Sequence, residues 1–294
     1  MPATTDPAGA ERLSVTANGV RFEALAWGSP DAPLALLLHG FPDCATTWRH
    51  LGPALGARGW RTVAPWMRGY GPTGLAPDDS YRIADLVDDV LALHGALDGG
   101  DDAVLVGHDW GAATVWAVTQ RAPGRFRRVV ALALPPPAAL LRPFAWPVRF
   151  DVGAQQLRAS WYFLYNQLPG AERGLDRLVP KLWRDWSPGY DATDDVPSVL
   201  AALDGRAERR ASLKYYRDNL RGGLRATFAT RAGAPALMLH GERDGCIKAG
   251  VVRDAEDLLF PGSRMELLPG VGHFLHLEDP ARVEALVGEW LEGP

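Results

Sequence analysis

The sequence predicts an α/β fold: a mostly parallel sheet with helices on both faces, interrupted by a helical insertion. Three observations carry that expectation. Short, continuously apolar runs alternate with segments of helical periodicity, as parallel strands covered on both sides require. The alternation occurs twice, before residue 135 and after residue 233. The stretch between opens with Pro135-Pro136-Pro137 and has apolar and aromatic clusters at helix-like spacing but no strand pattern. The expected division is therefore a core in two parts, residues 1–134 and 234–294, with residues 135–233 as a helical cap.

The elements follow in order. Leu13 to Trp27 alternates apolar and polar residues around Asn18-Gly19, which suits the positive φ values of a type I′ turn, so it reads as a hairpin. Leu34 to Leu38, bounded by Pro33 and Gly40, reads as a buried strand, and Arg61 to Pro65 as another. Between Arg82 and Leu97, Ile83, Leu86, Val87, Val90, Leu91 and His94 share one helical face. Asp102 to Val106 is then a strand and Gly111 to Arg121 a helix. After the insertion come a strand at Ala236 to His240, a helix at Val251 to Leu259, a strand at Met265 to Leu268 and a terminal helix at Pro280 to Leu291.

Composition narrows the function. With 294 residues, 47% hydrophobic and 22% charged, the chain can bury a substantial core, which excludes disorder. A net charge of −4 without runs of like charge leaves no electrostatic footprint for nucleic acid or an anionic membrane, so a small, neutral partner is expected. Cys44 and Cys246 lie far apart, without metal-ligand spacing, and read as bystanders in a reduced cytoplasmic protein. Met1 to Leu13 lacks the apolar stretch of a signal peptide, and runs such as Leu34 to Leu38 are too short to span a bilayer. A monomer or homodimer is expected.

Chemistry concentrates in Gly107-His108-Asp109-Trp110-Gly111, between a predicted strand and helix. Its glycines match the nucleophile elbow G-x-S-x-G, with Asp in place of Ser. The bland alternative is an Asp that only caps the helix. A carboxylate nucleophile attacks a saturated carbon and leaves an ester whose carbonyl belongs to the enzyme, where water can attack it. A serine would attack the substrate's own carbonyl, so Asp109 disfavours ester hydrolysis.

The remaining triad members are expected after later strands, in the order nucleophile, acid, histidine. Gly241-Glu242-Arg243-Asp244 follows one strand and offers Asp244, with Glu242 as rival. Gly272-His273-Phe274 follows the next and offers His273 as general base. His276 is its local rival, in an apolar alternation that favours packing. Of the seven histidines, His39, His50, His94, His108 and His240 read as structural. The loop His39-Gly40-Phe41-Pro42 can turn the Phe41 N–H toward the site, where with the Trp110 N–H it would form an oxyanion hole.

Together with Arg68-Gly69-Tyr70-Gly71-Pro72-Thr73, these motifs make the chain resemble the α/β-hydrolase epoxide hydrolases over nearly its whole length. The resemblance implies the α/β-hydrolase fold, conversion of an epoxide to a vicinal diol, and no metal or organic cofactor. It also implies two cap tyrosines that hold the epoxide oxygen. The first falls at Tyr162 in Ser160-Trp161-Tyr162, upstream of Gln167-Leu168-Pro169-Gly170, and the second at Tyr216, directly before Arg217, with Tyr215 in reserve. Phenols suit the task because epoxide opening releases an alkoxide, which needs a neutral donor able to give up a proton. Eleven tryptophans are many for this length; Trp146, Trp161, Trp183 and Trp186 fall in the cap, as pocket lining or as packing.

Haloalkane dehalogenases are similar in fold and in the Asp-Trp-Gly step, but often place an Asn donor where Phe41 stands. Fluoroacetate dehalogenases use arginines near the nucleophile, where this chain has Trp110, Ala112 and Ala113. A ligand receptor on the same fold would have no need of Asp109, Asp244, His273 and both phenols together.

Overall fold

The computed structural model describes residues 6–144, 149–222, 232–253 and 255–293. Eight strands form one sheet in the order β1-β2-β4-β3-β5-β6-β7-β8. They are β1 (Glu11–Ala17), β2 (Val20–Trp27), β3 (Leu34–Leu38), β4 (Arg61–Pro65), β5 (Val104–His108), β6 (Arg128–Leu132), β7 (Ala236–Gly241) and β8 (Arg264–Leu268). β1, β2 and β4 pair antiparallel and every other neighbouring pair is parallel. The expected α/β architecture is therefore present, with its hairpin turn at Asn18 and Gly19, where φ is 47° and 72°.

The parallel strands are apolar because both faces are covered. All five residues of β3 are buried, and each such leucine contributes about 1.5–3 kcal/mol relative to exposure. Helix α2 (Ile83–Ala96) packs on α3 (Trp110–Arg121), and α1 (Leu51–Ala57) packs on the terminal helix Pro280–Glu292, giving two separate helical layers.

Several boundaries differ from the sequence expectation. β5 spans Val104–His108 rather than Asp102 to Val106, because Asp102 stays in a turn closed by Ala103 N–H to Gly100 O and the strand extends to pair Gly107 with Leu38. The helix expected over Val251 to Leu259 is broken: a helix spans Ala249–Val252, and a separate 3-10 turn, Glu256–Leu258, puts Leu258 into the core. Elements absent from the expectation include β6 and α1. β6 has the apolar signature of β3, whereas α1, Leu-Gly-Pro-Ala-Leu-Gly-Ala, carries two glycines and a proline that mask its helical pattern.

Between β6 and β7 the described residues hold α4 (Phe150–Ala159), α5 (Trp161–Gln167), α6 (Leu175–Trp186), α7 (Val196–Ala202) and α8 (Arg206–Gly222), and no strand. Helix α6 buries Leu175, Leu178, Val179, Leu182, Trp183 and Trp186, a single stripe at three- and four-residue spacing. Trp146 lies outside the described residues.

Helix α8 docks onto the sheet domain through polar groups. The Tyr215 hydroxyl donates to Arg68 O at 2.9 Å, Asn219 Oδ1 accepts from Ile83 N–H at 2.8 Å, and Asn219 Nδ2 donates to Tyr81 O at 2.9 Å. Beneath them, the buried Arg68 guanidinium bridges both oxygens of Asp89, and Asp89 Oδ1 also accepts from Asn18 Nδ2 at 2.9 Å. Removing one member of a buried pair strands the other's charge, which typically costs about 3–5 kcal/mol. Asp89→Ala is expected to lower unfolding free energy by about that amount, read as a reduced urea midpoint. A loss below ~1 kcal/mol would mean that Arg68 finds compensation elsewhere.

Candidate active site

The candidate residues gather beyond the C-terminal ends of β3, β5, β7 and β8. Connections leave β3 toward β4 and β5 toward β6, in opposite directions across the sheet, so a crevice opens between them. Asp109 sits in it, at the junction of β5 and α3, with φ 52° and ψ −114°. Its N–H donates to Leu132 O at 3.2 Å and its carbonyl accepts the Ala113 N–H at 2.9 Å, which fixes the turn from both sides.

The elbow glycines have steric causes. A Cβ on Gly111 would lie 2.0 Å from Leu38 O, so helix α3 can approach β3 only with glycine there. A Cβ on Gly40 would lie 2.4 Å from both Cβ and Oδ1 of Asp109. With Gly40 bare, the Phe41 N–H reaches Asp109 Oδ1 at 2.8 Å, and the Trp110 N–H also donates to the carboxylate. Both expected oxyanion-hole donors therefore point at the candidate nucleophile. His39 holds the loop: its ring contacts Gly40 O at 2.9 Å through Nδ1 and accepts the Met67 N–H through Nε2 at 2.9 Å. Burial lowers the His39 pKa to about 4, which keeps it in this neutral form.

His273 and Asp244 meet as expected. His273 Nδ1 donates to Asp244 Oδ2 at 2.9 Å, and its Nε2 stands 3.7 Å from Asp109 Oδ2. Asp244 Oδ1 accepts the N–H groups of Cys246 and Ile247 at 2.7 and 2.9 Å. Burial pushes the Asp244 carboxyl up, but the charges of His273 and His240 and the His273 hydrogen bond outweigh it and hold its pKa below the ordinary value. Burial likewise pushes His273 down, and Asp244, by charge and hydrogen bond, together with the Asp109 charge reverses that to a raised pKa. In Asp109 burial prevails: its pKa is raised, against the lowering effects of His273, His108 and the two N–H donors.

The rivals lie elsewhere. Glu242 pairs with Arg253 at 3.3 Å on the surface. His276 is buried, bonds Thr47 and lies against the Trp48 ring at 5.0 Å, a packing role. His108 contacts the His273 carbonyl at 3.0 Å through Nε2 and so supports the loop of the candidate base.

Helices α5 and α8 bring Tyr162 and Tyr216 over Asp109, their rings edge-on at 5.7 Å. The three residues line one cavity of about 390 Å³, mostly apolar, with Trp110, Leu134, Phe144, Trp161, Phe163 and Ile247 among its walls and Gln156, Ser160 and Asn219 as its other polar lining. Burial raises both phenols well above the ordinary tyrosine pKa, so both remain protonated. Tyr215 is committed to Arg68 O, away from this cavity. Trp186, at the end of α6, packs edge-on against both His273 and Tyr162 at 4.9 Å. Cys246 Sγ lies 3.3 Å from the Tyr162 hydroxyl, so the cysteine expected to be a bystander touches the site. Its position two residues after Asp244 was the sequence signal for this contact. Among the described residues, two buried groups present donors within 4.8 Å of one another that could hold a cation: Asp109, Cys246 and His273, and Asp43, His108 and His276. No helix among them is long and apolar enough to cross a membrane.

The family model of the alpha/beta hydrolase fold matches residues 33–280. Epoxide hydrolase A of Mycobacterium tuberculosis is 34% identical, across 96% of this chain and 97% of that protein. The AB hydrolase superfamily protein YfhM of Bacillus subtilis is 29% identical, across 95% and 96%. The crystal structure of Epoxide Hydrolase A from Mycobacterium thermoresistibile superposes with a TM-score of 0.78 at 28% identity, covering 97% of this chain and 98% of that one. The chain belongs to the α/β-hydrolase fold family, in its epoxide hydrolase branch.

Proposed function

We propose that this protein hydrolyses small, apolar epoxides to vicinal diols through an ester on Asp109. The observation that carries the reading is a single apolar cavity of about 390 Å³ with one carboxylate, Asp109, on its floor and two phenols, Tyr162 and Tyr216, facing it. Residues 135–233 act as the cap that supplies the phenols, over a core made of residues 1–134 and 234–294.

In the first step a lone pair on Asp109 Oδ2 forms a bond to a ring carbon while the carbon–oxygen bond of the epoxide breaks. Oδ1 is already engaged by the Phe41 N–H, which leaves Oδ2 as the attacking atom. The departing oxygen takes a proton from Tyr162 or Tyr216, and two donors fix it opposite the carboxylate, as in-line displacement needs. In the second step His273 Nε2 removes a proton from water, whose oxygen attacks Asp109 Cγ. The resulting oxyanion, on Oδ1, faces the N–H groups of Phe41 and Trp110. Collapse releases the diol, whose leaving oxygen takes the proton from His273, while the second proton of the water, left on the Asp109 carboxyl, returns to the phenolate, so that Asp109 and the tyrosine are both regenerated. A dehalogenase reading finds less support, because Phe41 offers an apolar ring packed on Tyr216 at 5.2 Å.

Electrostatics orders the two steps. In the free enzyme the Asp109 charge helps keep the His273 pKa raised. Esterification removes that charge, so the imidazole becomes easier to hold neutral when a base is required.

Wild type is expected to form diol from styrene oxide, and Asp109→Ala to form none. Equal rates from both proteins, or diol from neither, would remove the reading, and the latter would direct the next assay to halide release from haloalkanes. Replacing Tyr162 and Tyr216 together by Phe should lower epoxide opening by about 10²–10⁴-fold with the circular dichroism spectrum unchanged, the range associated with general-acid catalysis. Wild-type-like turnover in the double variant would take the phenols out of the mechanism. For the pH dependence, Asp109 must be ionised to attack, so kcat/KM is expected to fall with decreasing pH through a value above the ordinary carboxylate pKa of 3.8. The His273 titration, followed by NMR, should move to lower pH in Asp109→Ala, since the charge that raises it is gone; an unmoved titration would break the proposed coupling.

A further inference from the structure

Neither chemical step uses a thiol, yet Cys246 stands among the groups that carry both. Its backbone N–H donates to Asp244 Oδ1 at 2.7 Å, which fixes it relative to His273, and its Sγ lies 3.3 Å from the Tyr162 hydroxyl. One donor atom from each of Asp109, Cys246 and His273 lies within 4.8 Å of the others.

Each donor is presented as a ligand would be. Because His273 Nδ1 donates to Asp244, the neutral imidazole keeps its lone pair on Nε2, a fully buried atom that makes no hydrogen bond. Metal-bound histidines are oriented in the same way, with the second ring nitrogen on a carboxylate. Asp109 uses Oδ1 for the Phe41 N–H and turns Oδ2 toward His273 Nε2 at 3.7 Å. Around a tetrahedral zinc ion, with bonds of roughly 2.0–2.3 Å, donor atoms stand about 3.3–3.7 Å apart. The nitrogen and oxygen therefore have nearly that separation already, and the sulfur reaches it with a shift of about 1 Å. Carboxylate, thiolate and neutral imidazole carry two negative charges, which a divalent ion cancels, so the three ligands and the ion together end neutral.

We propose that Zn²⁺, or another soft divalent cation, binds through Asp109 Oδ2, Cys246 Sγ and His273 Nε2 and switches turnover off. On binding, the Cys246 S–H bond breaks, its proton and any proton on His273 Nε2 leave to solvent, and sulfur–metal and nitrogen–metal bonds form, with no change of oxidation state. The ion occupies the attacking oxygen and the lone pair of the base at once, so it blocks ester formation and ester hydrolysis together. Thiolate selects Zn²⁺, Cd²⁺ or Co²⁺ over Mg²⁺ and Ca²⁺, which prefer all-oxygen sites. The effect on turnover rests on the epoxide hydrolase reading, whereas the binding does not.

Co²⁺ serves as the probe on the full chain. One ion per chain is expected, with a thiolate-to-cobalt charge-transfer absorption that Zn²⁺ abolishes by displacement. That absorption should vanish in Cys246→Ser and Cys246→Ala and persist in Cys44→Ser. In styrene oxide hydrolysis, Zn²⁺ should inhibit wild type where equal Mg²⁺ does not. Relative to each protein's own metal-free rate, Cys246→Ser should weaken that inhibition by more than the roughly 10–100-fold that an outer-shell partner is worth. Cobalt bound without the thiolate band, as a site at Asp43, His108 and His276 would give, overturns the proposal, as does equal zinc sensitivity of wild type and Cys246→Ser. A Cys246-dependent band in a protein that forms no diol would keep the metal site and sink the epoxide reading.

Discussion

The close approach of three backbone segments at the ends of β3 and β5 is the constraint on which the site depends. Helix α3 lies so near β3 that residue 111 has no room for a side chain, and the loop after β3 lies so near Asp109 that residue 40 has none either. These contacts force Asp109 into a positive φ, a conformation that costs of the order of 1–3 kcal/mol and persists only where the surroundings determine it. The parallel ladder between β3, β5 and β6 provides that determination. In return, one carboxylate oxygen is held by the backbone N–H of Phe41 and the other is turned to His273 without any side-chain clamp.

Two carboxylates on one sheet edge are driven in opposite directions by their surroundings. Asp244 is more deeply buried than Asp109, yet it receives two backbone N–H bonds and an imidazole, and its pKa falls. Asp109 also has N–H donors but faces an apolar cavity, and its pKa rises. The first arrangement stabilises a permanent anion that orients His273. The second leaves a less well-stabilised anion, which favours giving its electron pair to an electrophile. Exchanging the two environments would spoil both proposed roles, although the residue type is the same.

Much of this was legible in the sequence, for local reasons. The apolar run Leu34–Leu38, the turn at Asn18-Gly19 and the spacing Gly107-x-Asp109-x-Gly111 each encode a steric demand within a few residues of themselves. Asp244 and His273 were placed because each follows a strand of the alternating pattern. What escaped depends on contacts across long separations. Strand β6 is defined by its neighbours β5 and β7 more than by its own edges, and Trp186 meets His273 only because α6 folds back over the loop after β8. Cys246 looked inert because no second cysteine or histidine stands at ligand spacing; its company comes from Asp109, 137 positions earlier by subtraction of the residue numbers, and from His273.

The resemblance places the second phenol at Tyr216, directly before Arg217, with Tyr215 in reserve; helical periodicity alone gives no choice, since adjacent residues on a helix point about 100° apart. The fold supplies a physical reason for favouring Tyr216, through anchoring. Tyr215 is spent on Arg68 O, directly above the buried Arg68–Asp89 pair, and Asn219, one turn later, is spent on the backbone around Tyr81 and Ile83. With those two side chains directed into the sheet domain, the rotation of α8 about its axis is set, and Tyr216 is left to face Asp109 and Tyr162. Attachment of the helical segment and selection of the proposed proton donor are thus one geometric event. A change at Arg68 or Asp89, remote from the cavity, would then act on the phenol through the phase of the helix as well as on stability.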